Sequence, residues 1–119
     1  MTRFALWVHG IAAVWLATNG IAHQIAVLWK SHAGTLREGA SVPGLLAVGA
    51  GLVIAGGVHS WGLGALSAAR PSVVPALVGV AVLGAVVAAT AVAYGFTFLR
   101  GTIAIGVLDL VALLGMALL

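Results

Sequence analysis

Four long apolar runs, separated by short polar breaks, organise this chain. They cover roughly Phe4–Trp29, Pro43–Leu66, Val73–Tyr94 and Thr102–Leu119. A helix rises 1.5 Å per residue, so about 20 residues cross the hydrocarbon core of a bilayer. The pattern predicts an all-α protein: an integral membrane bundle of four transmembrane helices, one domain over residues 1–119. Four crossings put both termini on the same side.

The breaks carry the expected punctuation. Pro43 opens the second run, where its missing N–H costs nothing. Arg70-Pro71-Ser72 separates the second from the third, and Pro75 falls in the third helix's first turn. Gly95 to Gly101 reads as a tight hairpin holding Arg100. Residues 30–42 form the longest connection, too short to fold alone. The run after Arg3 is about twice the 7–15 residues of a signal-peptide core. It is read as a spanning helix despite the cleavage-like Ser31-His32-Ala33.

Projecting the first run at 100° per residue separates its polar and aromatic faces. With His23 at zero, Lys30, Asn19 and His9 fall within about 40° on either side of it. Trp7 and Trp29 lie on the opposite side, about 33 Å apart along the axis. This predicts a polar face turned inward and a tryptophan belt turned to lipid. Ala81, Ala85, Ala89 and Ala93 recur every four residues, as do Ala47, Gly51 and Ala55. Such seams suit close helix approach, and an Ala/Gly-rich composition also produces them unaided.

Composition reinforces the membrane reading. Hydrophobic residues make up 63%, mean hydropathy is +1.25 and charged residues only 6%. The formal charge of +3 rests on Arg3, Lys30, Arg37, Arg70 and Arg100. These are scattered singly, which excludes a nucleic-acid patch and suits contact with lipid headgroups. Two of them fall on the side of the termini and three on the other, so the residue 30–42 loop is only slightly favoured as cytoplasmic. A prokaryotic cytoplasmic membrane is the expected location. Zero cysteines remove disulfides and thiolate chemistry.

One carboxylate remains inside an apolar run: Asp109. Intramembrane acids are expensive, face inward and mark functional sites. The residues expected to meet it are Asn19 and His23, with His59 next, forming a substrate- or proton-binding site. His9 and His59 lie at similar depth on different helices, as bis-histidine haem b ligation requires. The preferred expectation is no cofactor and no dedicated metal site, since paired carboxylates and cysteines are lacking. Phosphate loops and nucleophile elbows are also absent.

These residues suggest a small membrane protein that binds or transports a small solute through a polar cavity with a protonatable acid. Two alternatives stand beside it. One is an integral-membrane isomerase or cyclase acting on a lipid-soluble substrate. The other is an anchor subunit of a larger complex, with or without haem. Expected partners are membrane lipids and either further copies of the chain or a membrane subunit.

Overall fold

The computed structural model describes residues 2–118 and is all-helical. Helix α1 spans Thr2–Ala33, α2 Val42–Ser67, α3 Val74–Ala93 and α4 Arg100–Ala117. Single 3-10 turns at Pro71–Val73 and Thr97–Leu99 lead into α3 and α4. All four helices are long and apolar enough to cross a membrane. The protein is thus a four-helix membrane bundle.

Helix ends follow local chemistry. Ser41 caps α2, its hydroxyl accepting from the Gly44 N–H at 3.2 Å, with Pro43 in the first turn. Pro71 and Pro75 occupy the first turns of their helical segments. Gly95, at φ +95°, ends α3 in a conformation that side chains disfavour. The chain then turns through Phe96, which is buried, so the hairpin itself contributes to the core. Arg100 and Gly101 belong to α4 rather than to the hairpin.

Each helix packs on its sequence neighbours, and α4 closes the ring against α1. The α1–α2 contact is the most extensive. Its backbones nearly touch: a methyl group on Gly56 would sit 2.9 Å from the Ala13 carbonyl and 2.8 Å from the Ala17 nitrogen. A methyl on Gly20 would sit 2.9 Å from the Gly49 carbonyl. Where apolar lipid supplies no hydrophobic drive between helices, such proximity holds them by dispersion. The seam therefore runs through Gly20, Gly49 and Gly56. Gly51 of the candidate Ala47–Gly51–Ala55 row meets nothing within 4 Å.

Apolar clusters fill the bundle above and below the site. Leu16, Val27, Leu52, Ala88, Phe96 and Leu99 form one, towards the residue 34–41 loop. Leu66, Val74, Leu77, Ala81 and Leu113 form another, towards the opposite ends. Trp7 and Trp29 are 73% and 74% exposed, while His9 and His23 are fully buried. The outward tryptophans of α1 are thus present, and of its polar face His9 and His23 point inward while Asn19 and Lys30 are only half-buried.

Candidate functional site: a buried His–Asp–His centre

His9 of α1, His59 of α2 and Asp109 of α4 meet inside the bundle with 0–1% exposure. Register brings them to one level. His9 lies seven residues after the start of α1, while His59 and Asp109 each lie eight before the ends of α2 and α4. The Gly56–Ala13 approach, one turn away on both helices, draws α1 close enough for His9 to reach the α2 backbone.

The contacts are complete. His9 Nδ1 lies 2.9 Å from Asp109 Oδ1 and 3.1 Å from Oδ2. His59 Nε2 lies 2.9 Å from Asp109 Oδ2. On the far side of each ring is a backbone carbonyl: His9 Nε2 donates to the His59 oxygen at 3.0 Å, and His59 Nδ1 donates to the Ala55 oxygen at 2.8 Å. The two rings stack, with centroids 4.5 Å apart and planes 16° from parallel.

A proton count follows from this geometry. A carbonyl oxygen only accepts, so His9 Nε2 and His59 Nδ1 must both carry hydrogen. Each ring-to-carboxylate contact needs one more. Four contacts therefore need four protons, whereas an electrically neutral His–Asp–His set carries three. With four, every contact is satisfied and the set bears +1. With three, the charge vanishes and one contact sets two lone pairs against each other. Burial penalises both outcomes, the charge by desolvation and the empty contact by an unmet polar group. A single proton separates the two states.

The same three side chains also present ligand atoms within 4.8 Å of one another. Metal-binding histidines commonly donate their second N–H to a carbonyl, as both do here. Ring orientation argues for protons instead. An imidazole lone pair lies in the ring plane, and two nearly parallel planes cannot both aim at one ion about 2.1 Å away. They can aim at the two oxygens of one carboxylate, which is the observed pairing.

The expected site residues divide. His59 and Asp109 meet, and His9, assigned only to haem ligation, joins them. With the rings stacked face to face and the inner nitrogens engaged by Asp109, a porphyrin has no slot between them. Asn19 and His23 do not partner Asp109. Asn19 Nδ2 donates to the Trp15 carbonyl of its own helix at 2.9 Å. His23 Nε2 donates to the Leu45 carbonyl at 2.9 Å, with its ring edge-on to Phe96. The cavity expected among Asn19, His23, His59 and Asp109 is replaced by a packed centre at His9, about 15 Å from Asn19 along α1. Thr102, one heptad before Asp109, instead accepts a hydrogen bond from Trp15 Nε1 at 3.2 Å.

Fold and site together define a four-span membrane protein with a buried histidine–aspartate cluster. Comparison with family models, curated proteins and solved structures finds no match for this chain.

Proposed function

We propose that the protein is a proton-linked membrane carrier or receptor for a small solute, with His9, His59 and Asp109 as its proton-binding centre. One observation carries this reading: four hydrogen-bond contacts around a centre that is neutral with only three protons. A purely structural polar contact has no need of that conflict. An asparagine–serine pair would fix helix register without it.

The centre lies in the half of the bundle towards the termini, and on its loop side Leu16, Leu52, Ala88 and Phe96 pack together with the buried His23. Movement of a proton across the bundle therefore requires α1 and α2 to rearrange. The His9-to-His59-carbonyl contact is the joint at which a proton can drive this. His9, His59 and Asp109 line none of the three principal surface cavities, so a solute, like an enzyme's substrate, reaches the centre only when the helices part.

The test uses the proton itself as probe. Vesicles carrying the protein and an internal pH dye receive an acid pulse. The wild type should equilibrate faster than Asp109→Asn or empty vesicles. Equal rates in wild type and Asp109→Asn would overturn carriage. In parallel, nitrogen-15 spectra of labelled histidine in bilayers should show one ring nitrogen of the centre gaining and losing hydrogen with pH. A fixed pattern would overturn the centre itself.

A further inference from the structure

We infer that the protein holds one anionic phospholipid at its loop-side edge, with the phosphate against Lys30 and Arg37 and an acyl chain along α1. Two concavities meet there and share a single residue. A polar cavity of about 360 Å³ is lined by Lys30, Thr35, Arg37, Tyr94 and the last turn of α3. An apolar groove of about 340 Å³ is lined by Ala22, Ile25, Ala26, Trp29 and Lys30. The groove follows α1 from Ala22 to Lys30, about 12 Å of helix. A charged recess and an apolar trough that share Lys30 have the shape of a single amphiphile.

Charge specifies the headgroup. Lys30 and Arg37 both face the cavity, and no acid lines either concavity. Among the described residues, the ion pairs join only histidines to Asp109, so neither cation is neutralised by a carboxylate. Glu38, beside Arg37, is exposed and pairs with neither.

Each cation also has a local anchor that fixes its place. One Arg37 guanidinium nitrogen donates to the Ala93 carbonyl at the end of α3. The remaining N–H groups of the guanidinium stay available to a phosphate. The Lys30 ammonium lies 5.5 Å from the centre of the Phe96 ring, a cation–π contact that leaves its three N–H donors unspent. The Tyr94 hydroxyl and Thr35 add neutral hydrogen-bonding groups at headgroup depth, and Trp29 stands at the interface beside them.

This proposal does not depend on the proton centre, which lies towards the other end of the bundle. Its test is native mass spectrometry of the full chain released from mixed micelles. These contain phosphatidylglycerol and phosphatidylcholine with identical acyl chains, with glycerol phosphate added as a soluble competitor. One phosphatidylglycerol should be retained in preference to phosphatidylcholine. Lys30→Gln and Arg37→Gln should each lower that preference roughly fivefold, in line with the value of one cation at a membrane surface. Arg100→Gln should leave it unchanged.

Filling the groove with Ala26→Trp should release the lipid while both cations remain. Several outcomes would overturn the proposal. Equal retention of the two lipids would do so, as would an equal loss in Arg100→Gln, which would mean diffuse attraction. Displacement by glycerol phosphate would show a phosphate site with no call on the acyl chain. Retention in Ala26→Trp would remove the groove from the argument.

Discussion

Replacing Asp109 by asparagine alters one atom of the side chain and isolates what the acid contributes. The amide offers one acceptor and one N–H donor towards the two rings, as a protonated acid does. Three of four contacts can then be filled without charge, and the fourth proton would create an imidazolium with no carboxylate beside it. Asp109→Asn should therefore insert and fold, at a cost of about 1–3 kcal/mol for the unmet contact, and hold a fixed protonation pattern. Asp109→Leu strands both inner ring nitrogens and should cost about 3–5 kcal/mol, the range for removing one member of a buried pair. Unfolding titrations in mixed micelles order the variants. If the leucine variant is as stable as wild type, the contacts around Asp109 contribute nothing to the fold. A different residue-level expectation concerns His23. Its Nδ1 is buried with no partner, so His23→Phe should be tolerated better than His9→Phe, which abandons two partners. Melting of the two variants in one detergent decides this, and an equal loss would reject it.

At the scale of the helix, Gly56 and Gly57 make a matched pair. A methyl group at Gly56 enters the α1 backbone at Ala13 and Ala17, whereas one at Gly57 meets nothing within 4 Å. Gly56→Ala should force α1 and α2 apart, costing about 1–3 kcal/mol by overpacking. It should also lengthen the His9-to-His59-carbonyl contact. Gly57→Ala should be neutral or gain up to about 1 kcal/mol from helix propensity. Thermal melting in one detergent distinguishes them, and equal behaviour would remove the close approach from the account. The same contrast shows what the sequence reveals. Spans were legible because apolarity over some twenty residues is a coarse signal, and the inward face of α1 because projection angle needs only helical geometry. Which glycines touch a neighbour was not legible, since that depends on the rotation of both helices. Depth failed for a related reason. Counting from the centres of the unequal runs places Asp109 near the midplane and Asn19 a few ångströms towards the loop. Counting residues from the helix ends nearest the termini puts His9, His59 and Asp109 level, but those ends are Thr2, Ser67 and Ala117 rather than Phe4, Leu66 and Leu119, the limits of the apolar runs.

For the whole molecule, the consequence lies in how one proton can change the packing of a bundle. The titratable groups that face one another are His9 from α1, His59 from α2 and Asp109 from α4. Helix α3 contributes none, and Arg3, the nearest basic residue on α1, is exposed. At acid pH the four-proton state satisfies every contact, including the one that ties the α1 side chain to the α2 backbone. As pH rises and a proton leaves, one contact must open. Those to Ala55 and Asp109 can be relieved by a ring rotation, whereas losing the His59 carbonyl contact frees α1 from α2 at this level. The expected result is a closed, narrow α1–α2 distance in acid and a longer or broader one in alkali. The chain has no cysteine, so spin labels on cysteines placed at Arg3 and Gly64, both exposed, read that distance without background. Asp109→Asn should give one distribution at every pH. A wild-type distance indifferent to pH would mean that the centre titrates, if at all, within a rigid bundle. It would then be a proton-binding element without a mechanical output, and carriage would have to be assigned to another part of the molecule.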